Sequence, residues 1–185
     1  MTAPIHLVGI SGSLRKGSYN TALLKAAMEL LPAGVTAEIA DFSTIPVYNA
    51  DLDVGDRPEP VRRFRETLAG AQALLIVSPE YNYSIPGGLK NAIDWASRGA
   101  DAPLLRKPVA LMGATQGMWG TVRMQLAFKA VFQFLDMKQV LKPEVLIAQA
   151  AGKFDADGRL TDEKTRELVS RSLEALRDLT LQLHK

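Results

Sequence analysis

Residues 5–10 read IHLVGI and lead directly into SGSLRKGSYNT at residues 11–21. The apolar residues run on without alternating, which is typical of a strand covered on both faces, and the polar stretch predicts a loop that enters a helix. Continuous apolar runs recur at residues 73–77, 109–112 and 145–147. A weaker, alternating run at residues 36–40 suits an edge strand.

Helical patterns separate these runs. They cover residues 20–31, 60–69, 88–97, 120–136 and 161–184. Strand and helix alternate five times, which predicts a doubly wound α/β fold: a five-stranded parallel sheet with helices on both faces. No linker or internal repeat interrupts the pattern, so we expect a single domain over residues 1–185.

The composition limits the chemistry. The 185 residues include no cysteine and two histidines, which excludes disulfides, thiolate nucleophiles and cysteine-held metal centres, so redox chemistry would need a bound cofactor. The formal net charge is +2 without a long basic block, which argues against nucleic-acid binding. The longest uncharged run, residues 108–122, is too short and too polar to span a membrane. No basic leader precedes Arg15, so we expect a cytoplasmic protein.

Three loops follow predicted strands: residues 11–19 (the first loop), 78–87 (the second loop) and 114–119 (the third loop). In open α/β sheets, ligands bind beyond the carboxyl ends of the strands. The sequence therefore predicts a ligand site where these loops leave the sheet.

The first loop is rich in hydrogen-bond donors at the start of a helix. Its donors are Ser11, Ser13, Arg15, Ser18, Asn20 and Thr21. The helix N-terminus adds partial positive charge, so the loop suits a terminal phosphate. Ser18 stands where a P-loop needs lysine, and the GxGxxG fingerprint is absent, so neither of those phosphate motifs applies.

The second loop and the start of the next helix read SPEYNYSIPGGLKNAIDW at residues 78–95. Two prolines stiffen the loop, and two tyrosines offer flat surfaces that suit a heteroaromatic ring. Together with GSLRKGSYN at residues 12–20, this motif resembles the NAD(P)H-dependent FMN reductase family, and within it the branch of chromate, quinone and azo reductases. The resemblance covers nearly the whole chain. It implies a flavodoxin-like fold, FMN as cofactor, NADPH or NADH as co-substrate, and a homodimer or homotetramer.

The resemblance also implies residue roles. The matching phosphate-loop positions are Ser11, Ser13, Leu14, Arg15, Ser18 and Asn20. The segment that matches the isoalloxazine edge comprises Pro79, Glu80, Tyr81 and Asn82, with Tyr83 near the open face of the flavin. Thr115, Gln116 and Gly117 match a third loop that lies against the cofactor. Lys16 and Gly17 receive no role.

Under this resemblance, hydride passes from the nicotinamide to flavin N5 and then to a small acceptor: a quinone, chromate, an azo compound, a ferric chelate or free flavin. The cofactor carries the chemistry, so we expect no catalytic side chain and no metal. Two alternatives stay open at this point. One is a flavodoxin-like electron carrier, although such carriers are usually strongly acidic, and the other is a flavin-free scaffold of the same fold.

The predicted helix at residues 120–136 has a core stripe of Met124, Ala127, Phe128, Val131 and Leu135, and a narrow polar stripe of Gln125, Lys129, Gln133 and Asp136. Leu126, Phe132 and Phe134 fall on other faces. This apolar excess favours a subunit interface, bordered by Trp95 and Trp119. For His6 we expect a packed core position and for His184 a solvated tail. The aspartate-rich segments 51–56 and 155–158 are expected to be turns rather than calcium loops.

Overall fold

The computed structural model describes residues 4–183, which form a parallel sheet between two layers of helices. The strands are β1 (Ile5–Ser11), β2 (Val35–Ala40), β3 (Ala73–Val77), β4 (Pro108–Ala114), β5 (Lys138–Gln139) and β6 (Val145–Ile147). Their order is β2-β1-β3-β4, and β5 and β6 both pair with β4. This is the predicted doubly wound, flavodoxin-like architecture, with β2 at the edge as expected.

The helices are α1 (Tyr19–Glu29), α2 (Glu59–Gly70), α3 (Gly87–Ala96), α4 (Val122–Phe134) and α5 (Glu163–Leu183). Two apolar cores sandwich the sheet. One contains side chains of α1 and α5, and the other contains side chains of α2, α3 and α4. The continuous apolar runs thus arise because both faces of the sheet are covered. None of the helices in residues 4–183 has the length and apolar character needed to cross a membrane.

Two short strands, β5 and β6, lie beside β4 where the sequence predicts a single last strand. β5 pairs with Pro108 and Val109, whereas β6 pairs with Met112, Gly113 and Ala114. Lys138 lies opposite Pro108 and Val145 lies opposite Met112, so the register shifts by three residues, from an offset of 30 to an offset of 33. The ladder is therefore interrupted between the two strands, and Pro143, which has no N–H to donate, lies in the interruption.

The prediction for α4 was partly wrong. Gln125 is buried because its Nε2 donates to the carbonyl of Val145 (3.0 Å), and Phe132 is buried in the core. Leu126 and Phe134 are exposed, as an interface would require. The helix also begins two residues later than expected, since Gly120 and Thr121 both have positive φ (55° and 67°).

Trp95 does not border an interface. Its side chain is 0% exposed, and its Nε1 donates to the carbonyl of Pro46 (2.8 Å), which anchors the segment after β2 to α3. His6 is not a core residue either: its side chain is one-third exposed and its Nε2 contacts Glu38 Oε1 at 2.9 Å. His184 lies outside the described residues.

Both aspartate-rich segments are turns, as predicted. In the second of them, Asp155 Oδ1 accepts hydrogen bonds from the backbone N–H groups of Asp157 (3.0 Å) and Arg159 (2.8 Å). Gly158 has a φ of 78°, and Phe154 and Leu160 form an antiparallel bridge that closes the turn. The first segment begins within a short 3-10 helix, Ala50–Leu52, and continues as a bend.

Candidate functional site

The three loops leave the sheet side by side. Strands β1, β3 and β4 are adjacent and parallel, so their carboxyl ends lie at one edge. The N–H of Gly12 donates to the carbonyl of Val77 (2.8 Å), and the N–H of Ser78 donates to the carbonyl of Met112 (3.0 Å). The site is therefore at the carboxyl edge of the sheet, as the sequence predicts.

Two glycines allow the segments around the site to approach one another closely. A Cβ added to Gly12 would lie 2.2 Å from Ser78 Oγ, and one added to Gly113 would lie 1.9 Å from Thr121 Oγ1 and 2.7 Å from the carbonyl oxygen of Ser78. A larger residue at either position would require the neighbouring atoms to shift. Ser78 thus lies between the first and third loops.

Asn20 joins the first loop to the third. Its Nδ2 donates to the carbonyl of Ala114 (2.9 Å), and its Oδ1 accepts from the N–H of Ala114 (2.8 Å). The side chain is buried, so the carboxamide satisfies backbone groups that water cannot reach. This geometry assigns Asn20 a positioning role at the end of β4.

The serines of the first loop hold its shape. Ser18 is the N-cap of α1 and accepts from the N–H groups of Asn20 (3.2 Å) and Thr21 (3.4 Å). Ser11 Oγ lies 2.7 Å from Thr21 Oγ1, and Ser13 Oγ accepts from the N–H of Arg15 (3.3 Å). These bonds fix the backbone between β1 and α1.

The same loop leaves donors free for a ligand. Within residues 4–183, the N–H groups of Leu14, Lys16 and Gly17 meet no acceptor, and Arg15 forms no ion pair. Arg15 is exposed, and its Nη1 would lie 3.4 Å from a Cβ added to Gly17, so its guanidinium lies over the loop backbone. Free backbone N–H groups, a helix N-terminus and a guanidinium form a donor set that fits a phosphate dianion.

The second loop contains a tight hairpin. Tyr81 and Ser84 exchange two backbone hydrogen bonds (3.1 and 2.9 Å), and the central residues Asn82 and Tyr83 have φ of 50° and 64°. Two consecutive left-handed residues define a type I′ turn, which asparagine tolerates and tyrosine does not favour. The turn projects Tyr83 into solvent with 69% of its surface exposed.

Glu80 contacts α4 with its side chain. Its Oε2 accepts from the N–H groups of Arg123 (2.9 Å) and Met124 (3.2 Å), and its Oε1 lies 3.4 Å from Arg123 Nη1. Thr121 precedes the helix but makes no capping bond, so a carboxylate of the second loop caps α4 instead. Because the side chain of Glu80 is engaged in this way, its main chain is the part that is free to contact the edge of a bound ring.

The third loop is tied to β6 and to the segment after it. The N–H of Thr115 donates to the carbonyl of Ile147 (2.9 Å), and the N–H of Gln149 donates to the carbonyl of Gly117 (3.0 Å). Gln116 and Gly117 are exposed beside these anchors. The loop therefore presents a fixed backbone next to the second loop.

Sequence reasoning missed Arg123. Its Cζ lies 4.0 Å from the ring centroid of Tyr83 and 5.2 Å from that of Trp119, so one guanidinium contacts aromatic rings of the second and third loops. The available signal was the absence of acidic residues in the first turn of this helix. A helix without its own cap leaves N–H groups that need an acceptor from elsewhere; here the acceptor is the Glu80 carboxylate, which also engages Arg123.

Comparison with known proteins agrees with this geometry. Residues 5–152 match the model of the family described as NADPH-dependent FMN reductase. The chain is 51% identical over 176 residues to the NAD(P)H-dependent FMN reductase PA1204 of Pseudomonas aeruginosa, with 95% of each chain covered. It is 44% identical to the NAD(P)H:quinone oxidoreductase of Solanum tuberosum, covering 97% of this chain and 94% of that one.

A solved structure agrees as well. The flavoenzyme NAD(P)H:(acceptor) oxidoreductase FerB of Paracoccus denitrificans superposes with a TM-score of 0.87 at 33% identity, covering 96% of this chain and 98% of that one. The chain therefore belongs to the NADPH-dependent FMN reductase family and is an oxidoreductase with FMN as cofactor and NAD(P)H as co-substrate.

Proposed function

We propose that this enzyme reduces quinones. The observation that carries the proposal is the convergence of the three loops at one sheet edge in a chain whose curated relatives include quinone oxidoreductases. In the proposed reaction, NAD(P)H gives up a hydride and solvent gives a proton, so the quinone leaves as a hydroquinone. Chromate, azo compounds, ferric chelates and free flavin are alternative acceptors to be compared with it.

The first loop is proposed to hold the phosphate of FMN. Its free N–H groups and the Arg15 guanidinium would face the phosphate. Ser11, Ser13 and Ser18 would hold the backbone of the loop in shape and would also bring their hydroxyl groups to the phosphate. Leu14 would contribute its N–H. Asn20 would act indirectly, by holding the end of β4 in place.

The second and third loops are proposed to contact the isoalloxazine ring. The main chain of Pro79, Glu80, Tyr81 and Asn82 would line one ring edge, Tyr83 would lie near the open face, and Thr115, Gln116 and Gly117 would border the other side. Bound FMN supplies the two-electron chemistry, and the chain supplies binding and electrostatics. Backbone N–H dipoles stabilise negative charge without a titrating side chain, so no catalytic side chain is assigned.

We also propose that residues 1–185 form one domain and that the protein assembles as a homodimer or homotetramer. Its proposed location is the cytoplasm, where NAD(P)H is supplied. The exposed Leu126 and Phe134 on α4 support a subunit contact. Light scattering at micromolar concentration tests the assembly. A monomeric mass would contradict this part of the proposal.

The test of function starts from the purified protein loaded with FMN. Mixing with NADPH or NADH under argon should bleach the flavin band near 450 nm, and a later addition of 1,4-naphthoquinone should restore it. Flavin binding without bleaching would indicate an electron carrier. Bleaching without recovery on adding the quinone would exclude a quinone as acceptor.

A further inference from the structure

We propose that Tyr83, Arg123 and Trp119 form an aromatic platform that binds flat, ring-shaped acceptors; the inference rests on the proposed quinone reductase function. The guanidinium of Arg123 lies 4.0 Å from the Tyr83 centroid and 5.2 Å from the Trp119 centroid. One cation thus contacts two aromatic rings from different loops.

Glu80 and the turn at Tyr83 hold parts of the platform in place. Glu80 accepts from the backbone N–H of Arg123 (2.9 Å) and lies 3.4 Å from its Nη1, so the base of this side chain is anchored to the second loop. Tyr83 is the second central residue of the type I′ turn, and its left-handed backbone sets the direction of its side chain. The anchored guanidinium therefore restricts the Tyr83 ring that it contacts, which lowers the entropy cost of binding a ligand there.

The exposed chemistry of the platform matches a quinone. Tyr83 and Trp119 are 69% and 66% exposed although both contact Arg123, so each keeps surface that a ligand can reach. The Arg123 side chain keeps one-third of its surface exposed and is a cationic hydrogen-bond donor. A flat apolar ring that carries carbonyl oxygens can stack on the rings and accept from the guanidinium, whereas a small acceptor such as dioxygen needs neither contact.

The kinetic test compares two acceptors in the FMN-loaded enzyme. Arg123→Ala should raise the KM for 1,4-naphthoquinone about tenfold, whereas the rate of reoxidation by dioxygen, which needs neither stacking nor the guanidinium, should change much less. Arg123→Lys keeps the charge but loses the planar fork, so it should show most of the same KM increase. Trp119→Leu, at an exposed position, should shift the KM in the same direction. Arg171→Ala, on the exposed face of α5, is the matched control and should match the wild type.

A second measurement needs neither flavin nor turnover. Trp95 is fully buried, so acrylamide quenching of tryptophan fluorescence in the FMN-free protein reports mainly on Trp119. Releasing the indole in Arg123→Ala should raise the quenching constant. This readout stays interpretable even if NADPH fails to bleach the wild-type flavin, an outcome that would count against the proposed function alone.

Three results would overturn the platform. The first is an equal change of the rates with naphthoquinone and dioxygen in Arg123→Ala. The second is full recovery of the naphthoquinone KM in Arg123→Lys, which would reduce the role of Arg123 to its charge. The third is a changed light-scattering mass with unchanged acceptor selectivity, which would assign these side chains to a subunit contact.

Discussion

Asn20 on α1 and Ala114 at the end of β4 are joined by two hydrogen bonds, one in each direction, of 2.9 and 2.8 Å. The pair connects residues that are 94 positions apart in sequence and holds the first loop against the third. Both loops border the proposed flavin site, so this buried contact links the stability of the fold to the shape of the site.

Replacing this side chain should affect both properties. Asn20→Ala leaves the N–H and the carbonyl of Ala114 buried without partners, which we expect to lower the free energy of unfolding by about 3 kcal/mol. FMN affinity should fall as well, because the two loops lose their fixed spacing. Urea unfolding at matched flavin content and FMN titration measure the two effects. Asn49→Ala, which removes one exposed bond to the N–H of Asp51, is the control and should cost about 1 kcal/mol.

Gly12 and Ser78 are predicted to be energetically coupled. A Cβ on Gly12 would lie 2.2 Å from Ser78 Oγ, so Gly12→Ala should destabilise the protein by about 2 kcal/mol through overpacking. Removing the serine side chain in the Gly12→Ala, Ser78→Gly double variant should recover part of this loss, and a double-mutant cycle should give a coupling energy of about 1 kcal/mol.

The control for this cycle is Gly70→Ala at the end of α2. A Cβ added to Gly70 meets nothing within 4 Å, so the substitution should be neutral or stabilising. Strict additivity of the Gly12 and Ser78 substitutions would show that the close approach of the two loops does not limit the choice of residue at Gly12.

The main elements of the fold are predictable from sequence because both faces of the sheet are covered. Continuous apolar runs then mark each central strand, and the structure places β1, β3 and β4 where the runs predict them. The sequence does not predict β5, because Lys138 and Gln139 are polar and pair only with the first two residues of β4. A strand of two residues leaves no periodic signal.

The site was less predictable, because several of its polar side chains bond to the protein itself. The resemblance assigns Asn20 to the phosphate loop and Glu80 to the segment along the isoalloxazine edge, but it does not show that their side chains satisfy backbone groups at Ala114 and at the start of α4. Such partners lie in distant segments and become visible only when the loops are placed together. The same reason explains why Gln125 is buried rather than part of an exposed polar stripe: a helical projection cannot show that its amide reaches the carbonyl of Val145.

The N-terminus of α5 provides a pH-dependent contact. Hydrogen bonds from the Thr165 hydroxyl and from Lys153 Nζ lower the pKa of Asp162 from 3.8 to about 2. A carboxylate with a depressed pKa in the folded state stabilises that state above its unfolded pKa and loses the effect as the pH falls through its folded pKa. We therefore expect the stability difference between wild type and Asp162→Asn to be full above pH 4 and to disappear towards pH 2.

Chemical denaturation of both proteins across this pH range measures the difference. Asp157→Asn is the control, because within the described residues the Asp157 side chain forms neither a hydrogen bond nor an ion pair. A stability difference for Asp162→Asn that stays constant from pH 5 to about pH 2 would refute the assigned role.

The phosphate role of the first loop can be isolated by comparing two flavins. Arg15 has no ion-pair partner in residues 4–183, and its guanidinium lies over the loop backbone at Gly17. Arg15→Ala should therefore weaken FMN binding about tenfold or more, because a charge-assisted contact to the phosphate is lost. Riboflavin lacks the phosphate and should bind the variant and the wild type equally. Flavin fluorescence quenching measures both affinities.

The adjacent Lys16 provides a matched control, since it is also exposed and cationic but carries no assigned role. Lys16→Ala should weaken FMN binding less than Arg15→Ala does. The loss of affinity in Lys16→Ala should shrink further as salt is added, because salt screens the general charge of the loop. Equal losses for FMN and riboflavin in Arg15→Ala would mean that Arg15 supports the loop rather than the phosphate. Equal losses of FMN affinity in the two variants would instead assign the effect to net charge, because a point charge at either position would then suffice.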